Sequence, residues 1–254
     1  MKTLFVGQNS IHVESVDSTN SYASEMLRQI ELVEGSLIYS FSQLNGRGQR
    51  GNSWESEPSK NVALSLVLHP KFLTIEKQFL LTKITSLAVA DLMAEMLEES
   101  INPKEISIKW PNDIYVKDQK IAGILIENTL KESSIQSSIV GIGINVNQID
   151  FSIKTATSLA SLSGKEFELM KVLNRLCEFF EARYLQLKSN KLESIDSAYL
   201  ERLYRLNEWA NYKSMDSGFD GKVKGVSKIG KLQVELRNGD LKEFDLKEIS
   251  FANV

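Results

Sequence analysis

Hydrophobic and polar positions change period several times along the chain, and each change predicts an element. In "DSTNSYASEMLRQI", Tyr22, Met26 and Ile30 recur every fourth residue behind Asp17 or Ser18. Both are N-cap residue types, so a first helix is predicted there. "SLIYSF" (36–41) predicts a strand that runs straight into the glycine-rich "GRGQRG". In "NVALSLVL" (61–68) Val62, Leu64, Leu66 and Leu68 alternate, the pattern of a strand with one apolar face. Residues 76–100 return to helical spacing through Leu80, Ile84, Leu87 and Met96. A β-rich block follows: "ISIKW" up to Pro111, a hairpin of "DIYVK" and "KIAGILIE" turning at Asp118-Gln119, then "SSIVGIGINV". Residues 166–188, with Val172, Leu176, Phe179, Phe180 and Leu187 inward, and about 192–205 predict two more helices.

After Asn207 the texture changes to short apolar runs split by glycines, with Asn238-Gly239 predicting a two-residue hairpin turn. The pattern as a whole predicts an α+β fold. Helices pack on one side of a mostly antiparallel sheet, over residues 1–206. A small β module, 207–254, follows.

Composition narrows the class. The 254 residues suffice for one large domain with a small appendage, and 42% hydrophobic with 25% charged is ordinary for a globular protein. A net charge of −3 offers no basic signal for nucleic acid. The single cysteine, Cys177, can form no intramolecular disulfide and fits a reducing cytoplasm. Neither a signal peptide nor a run of 18 apolar residues is visible, so no membrane partner is expected.

Three polar constellations remain to be explained. Glycine lets backbone N–H groups approach a ligand, and arginine matches anionic oxygens, so Gly46, Arg47, Gly48, Arg50 and Gly51 suggest an anion cradle. The same residues also suit a solvated surface loop. Trp54 just beyond could stack on a flat ring or fill the core. In "KWPNDIYVKDQKIAGILIE", Lys109, Asn112, Asp113 and Lys120 fall at or near strand ends. Lys120 enters an apolar run, as a buried cation needing an anionic partner or as an exposed strand-end lysine. In "GIGINVN", Gly141, Gly143 and Asn145 share one strand face, a bare surface for a ligand or another backbone. His12, His69 and Cys177 read as structural, and no cysteine–histidine cluster suggests zinc.

Taken together, "DSTN", "GRGQRGNSW", "KWPNDIYV", "KIAGIL" and "GIGINVN" resemble the biotin protein ligase family in order and spacing, over nearly the whole chain. The resemblance implies a mixed sheet like that of class II aminoacyl-tRNA synthetases, with a C-terminal SH3-like barrel. It implies ATP and biotin as substrates with Mg²⁺, a biotinyl-5′-AMP intermediate, and a biotin carboxyl carrier domain as acceptor. The motifs begin at residue 17, so the likeness is to the monofunctional form without a DNA-binding domain. Relatives of the repressor type dimerise, which makes a homodimer one expectation.

By the same resemblance, Ser18, Thr19, Asn20, Gln43, Arg47, Gly48 and Gln49 belong to the biotin and adenylate end, with Gly141 and Gly143 leaving room for the bicyclic ring. Lys120 meets the carboxylate and then the α-phosphate. Arg50, Trp54, Lys109, Asn112, Asp113 and Asn145 serve the nucleotide, and Asp113 associates with Mg²⁺ or orients the acceptor amine. Lys120, Arg47 and Asp113 are the catalytic set. The family's loop often reads G-R-G-R-R-G, and Gln49 here replaces an arginine that helps hold the adenylate. Lipoate–protein ligase and a non-catalytic biotin-binding module are the competing readings.

Overall fold

The computed structural model describes residues 2–251 apart from 133, 215, 216 and 247, and for Arg50 the backbone alone. The catalytic part is built from β1 (Ser10–His12), α1 (Thr19–Gln29), β2 (Ser36–Ser40), β3 (Gly46–Arg47), β4 (Ser53–Trp54) and β5 (Val62–Leu68). It continues with α2 (Phe79–Met96), β6 (Ile106–Lys109), β7 (Asp113–Val116), β8 (Gln119–Lys131), β9 (Ser134–Ile144), α3 (Leu159–Ser163), α4 (Leu169–Lys188) and α5 (Leu192–Glu201). A seven-stranded sheet runs in the order β1-β2-β5-β9-β8-β7-β6. β1 pairs with β2 in parallel, and the remaining neighbours are antiparallel.

The alternation in β5 divides the two faces of the sheet. Val62, Leu64, Leu66 and Leu68 join the main core with α2 and α4, while Val67 points to a smaller cluster with Ala23 of α1. α2 lies between the sheet, α4 and α5, so even Lys83, Thr85 and Ser86 are buried on it. Lys83 meets this cost with an ion pair to Asp196 at 2.7 Å. The predicted helical layer is therefore α2, α4 and α5, and α1 is a helix of the opposite face. Ser18 caps α1 through its side chain. Ile30, read as part of the inner face, is instead the exposed C-cap residue.

Two expected boundaries in this part differ. The β7–β8 turn is Lys117-Asp118, one residue earlier than predicted, with Lys117 in the left-handed region at φ 55°. α5 ends at Glu201 rather than near 205, because the following backbone turns to β6: Ile108 N–H donates to Arg202 O and Tyr204 N–H to Ile108 O. The sheet edge thereby takes hydrogen bonds that a longer helix would have used internally.

Beyond this junction come β10 (Trp209–Ser214), β11 (Ser217–Val226), β12 (Leu232–Leu236), β13 (Leu241–Phe244) and β14 (Ser250–Phe251). They form an antiparallel sheet in the order β13-β12-β11-β10-β14. The β12–β13 turn is longer than the Asn-Gly pair alone. Gly239 N–H donates to Leu236 O and Leu236 N–H to Asp240 O, with Gly239 at φ 88°. This is a three-residue loop closed by a glycine bulge, the next commonest hairpin class. Tyr212, Val223, Leu232 and Val234 belong to the same continuous core as α2 and β5, so the C-terminal sheet is fused to the body by apolar packing. No described helix is long and apolar enough to cross a membrane.

Candidate active site

On the sheet face opposite α2 and α4, a cavity of about 380 Å³ opens between the start of α1, the β3–β4 ribbon, the 109–113 turn and, from the C-terminal part, Leu246, Ile249, Ser250 and Phe251. Its floor is the central β5–β9–β8 pairing, where Gly123 faces Gly143 and Leu125 faces Gly141. These are long, well-paired strands, and their rigidity fixes whatever rests on them.

The α1 end is a closed polar network. Gln43 Oε1 accepts from Thr19 N–H at 2.9 Å, and the Ser65 hydroxyl lies 2.9 Å from Thr19 Oγ1 and 2.6 Å from Asn20 Oδ1. Asn20 Nδ2 donates to Leu125 O at 3.1 Å and to Glu127 Oε2 at 2.8 Å. Ser18, Thr19, Asn20 and Gln43 are all buried. Such groups are held because an unpaired polar atom here would cost about 1–3 kcal/mol.

The glycine-rich stretch is a folded ribbon. β3 and β4 pair Gly46 with Trp54 and Arg47 with Ser53, and Gln49–Gly51 form a 3-10 turn at the tip. Arg47 reaches Glu127 at 2.9 Å and Ser21 Oγ at 3.1 Å, which ties the ribbon to β8 and α1. Arg47, Gly48, Gln49 and Trp54 all line the cavity. The predicted role of Arg50 falls on a side chain outside the described atoms.

Gly141 and Gly143 line the cavity, and two side chains come close to their backbone. A Cβ on Gly141 would lie 2.3 Å from Asn20 Oδ1, and one on Gly143 would lie 2.6 Å from Trp54 Cε2. The glycines thus admit Asn20 and the Trp54 indole onto the backbone. Trp54 is neither simple core filler nor a remote stacking platform. It packs against Gly143 and Gly123, with its Nε1 buried and without a hydrogen-bond partner.

Lys120 does have an anionic partner. Its Nζ lies 2.7 Å from Asp113 Oδ1 and 5.5 Å from the Trp54 ring centroid. An ammonium carries three donors, so the contact with Asp113 leaves two for other partners, on a side chain that lines the cavity. The hairpin makes this pair: Tyr115 is the register partner of Lys120, beside a bulge between Ile114 and Tyr115. Asn112 spends its Nδ2 on Ile124 O, fixing the turn after the cis Trp110–Pro111 bond against β8.

Lys109 lines the same cavity. Its Nζ lies over the ring of Tyr115 at 4.6 Å and receives no carboxylate within ion-pair distance among the described residues. Burial pushes its pKa down to about 8, opposed by the nearby charge of Asp113 and helped by that of Lys120. Asn145, like Gly46 and Gly51 of the ribbon, stands apart from the other predicted residues. It does not line the cavity, and its Nδ2 donates to Thr157 O at 3.0 Å, while its buried Oδ1 has no partner.

The pattern along the chain did not reveal Glu127, Trp110, Gly123 or the C-terminal contributors Leu246, Ile249, Ser250 and Phe251. Gly123 carried a signal, since "IAGIL" places a bare position in a buried strand. His12 stacks on Tyr39 at 4.9 Å and His69 bonds Leu32 O, both structural. Burial pushes the Cys177 thiol up to about 12, which leaves it no role as a nucleophile. Among the described residues no group of three acidic, histidine or cysteine side chains could hold a metal ion.

Comparison with known proteins agrees with this geometry. Residues 12–145 match the Biotin/lipoate A/B protein ligase family. The bifunctional ligase/repressor BirA of Bacillus spizizenii is 30% identical over 244 residues, covering 94% of this chain and 73% of that protein. A biotin–acetyl-CoA-carboxylase ligase of Paracoccus denitrificans is 28% identical, covering 85% of this chain and 90% of its own. Among solved structures, the biotin protein ligase from Aquifex aeolicus in complex with biotin and ATP superposes with a TM-score of 0.78 at 28% identity, over 96% of this chain and 99% of that one. The chain belongs to the biotin/lipoate A/B protein ligase family.

Proposed function

We propose that this protein is a biotin protein ligase, which joins biotin to ATP as biotinyl-5′-AMP and then transfers biotin to a lysine of a biotin carboxyl carrier domain. The observation that carries the reading is Lys120. It is a cation fixed by Asp113 in a cavity that also gathers the serine–threonine–asparagine start of α1, the glycine–arginine ribbon and the β9 glycines on which Asn20 and Trp54 rest. The Aquifex relative, solved with biotin and ATP, supports the substrate pair.

In the first step a biotin carboxylate oxygen attacks the α-phosphorus, and the bond to pyrophosphate breaks. Lys120 bridges the two reactants with its two free donors, stabilising charge as it develops on the phosphoryl oxygens. Arg47 leaves Glu127 for the anionic adenylate. The pair with Glu127 is half-exposed, a class worth about 0–1 kcal/mol, so the exchange is easy. Trp54 and the ribbon close the cavity and keep water from the mixed anhydride. In the second step the carrier amine attacks the acyl carbon and AMP leaves, with the Asp113 carboxylate orienting that amine. Residues 1–206 form the catalytic unit, and residues 207–254 complete its nucleotide end.

The unpartnered Trp54 Nε1, on a side chain that lines the cavity, is a donor suited to an acceptor nitrogen of an adenine base. Mg²⁺ would enter with ATP, held by phosphate oxygens and water. The protein offers it Asp113 at most, and that carboxylate is already paired with Lys120. The test is ATP–pyrophosphate exchange with biotin, with lipoate and with neither. Exchange driven by biotin alone is expected. Exchange driven by lipoate, or none, would overturn the assignment.

A further inference from the structure

The catalytic turn is held from behind by the C-terminal sheet at two adjacent residues. Trp110 Nε1 donates to Gly230 O at 2.9 Å. Lys109 Nζ, one residue earlier, lies 5.1 Å from the centroid of Phe251 on β14 and 6.0 Å from that of Tyr204. With Tyr115 at 4.6 Å, and its hydroxyl 3.1 Å from Nζ, these rings make a three-sided aromatic cage. The cage is itself cross-braced: Tyr204 packs on Tyr115 at 5.4 Å and on Phe251 at 5.8 Å, and Phe251 packs on Tyr212 at 5.1 Å. Tyr204 is further fixed by its hydroxyl, which donates to Asp118.

A lysine is usually fixed by a carboxylate. Here Asp113, the acid across the hairpin from Lys109, is taken by Lys120. Ring faces hold a cation without neutralising it. Lys109 is thereby kept in the cavity wall with its ammonium donors uncommitted to an acid, next to the pair that the proposed chemistry uses. A caged, unneutralised cation suits a ligand with several negative charges in a row, which ATP presents and biotin does not.

Resting on the ligase reading, we propose that Phe251, supported by Tyr204, is a positioning residue that holds Lys109 toward the triphosphate of ATP, so that the C-terminal module acts on adenylate formation through this one side chain. Phe251 does not itself touch the reacting atoms. Its effect passes through the direction in which Lys109 points.

The experiment measures initial rates of biotin-dependent pyrophosphate exchange against ATP, with biotin affinity determined separately by calorimetry. Phe251→Leu keeps the bulk and removes the π face. It should raise the KM for ATP about 3- to 30-fold, the range expected for losing one partly desolvated cation–ring contact. Biotin affinity should stay within twofold. Phe251→Tyr, which restores a ring face, should recover most of the loss. Lys109→Met should raise the same KM, and adding Phe251→Leu to it should raise KM no further, since both act through one contact. Multiplying effects in the double variant would overturn the proposal, as would an unchanged KM in Phe251→Leu, or equal losses of ATP and biotin binding. Circular dichroism of each variant identifies any that fail to fold, and Phe251→Met, also ring-free and of similar bulk, then takes the place of Phe251→Leu, with an unchanged KM again overturning the proposal. Failure of the ligase reading is distinct: the unaltered protein would then show no biotin-dependent exchange at all.

Discussion

A single added methyl at Gly143 should test how the site is built. In Gly143→Ala the new Cβ would lie 2.6 Å from Trp54 Cε2, 2.8 Å from Nε1 and 2.9 Å from Cζ2. Carbon atoms prefer about 3.5–4.0 Å, so the overlap approaches ~1 Å along one whole edge of the indole. β9 cannot yield, because it is hydrogen-bonded on both sides, to β5 and to β8. Trp54 can, because β4 is two residues long and pairs with β3 alone. The methyl should therefore push the indole and its ribbon outward. Overpacking of this kind costs about 1–3 kcal/mol. Urea unfolding should show that loss, with an unchanged slope. Acrylamide quenching, in a background where the exposed Trp209 is replaced by phenylalanine, should rise as the half-buried Trp54 ring leaves its seat. Adenylate formation should fall with it. Gly123→Ala, whose Cβ would lie 2.9 Å from one indole carbon only, should do the same more weakly. If Gly143→Ala alters neither stability nor quenching, the glycine does not seat the tryptophan and the reasoning fails.

Three further outcomes are expected. Lys120→Ala should lower the rate of adenylate formation by about 10²–10³ while the fold survives, as its side chain sits in the cavity wall outside the core; near-normal rates would exclude it from the chemistry. Gln49→Arg should slow release of biotinyl-5′-AMP, since a charge-assisted hydrogen bond is worth about 1.5–3 kcal/mol; equal stopped-flow release rates would show that position 49 does not hold the adenylate. The Lys109 pKa of about 8 lies below its ordinary 10.5, so between these values the unfolded chain binds more protons and this group adds stability as pH rises. Lys109→Met should flatten the slope of unfolding free energy across that window, and an unaltered slope would contradict the burial of its charge.

What could be read from the chain, and what could not, follows the range of the interactions. A cap at Asp17 or Ser18, the β5 alternation and the β7–β8 hairpin are local, within a turn or two of sequence, and the pattern showed them, though not that Lys120 pairs with Asp113. The turn at Lys117-Asp118 was misplaced by one residue because a left-handed lysine there has no sequence signature. The glycine face of β9 was visible, but what rests on it was not: Asn20 and Trp54 arrive from far upstream, brought by α1 and the ribbon. The Arg47–Glu127 ion pair and the Phe251 contribution were hidden for the same reason. The ion pair exists only once the ribbon has folded back on β8, and the Phe251 contribution only once the C-terminal sheet has docked on the 109–113 turn; no periodicity encodes either.

The β8–β9 pairing under the cavity and the β3–β4 ribbon above it lie at opposite ends of the molecule's range of local stability. The floor's amides are shared among long central strands, and exchanging their hydrogens with solvent requires opening the main sheet. The ribbon holds two register pairs and one half-exposed ion pair, and it can open by itself. Mild heat or denaturant should accordingly unlatch the cover before the sheet melts, so that catalytic competence disappears from a molecule whose secondary structure is still intact, and returns as soon as the ribbon closes.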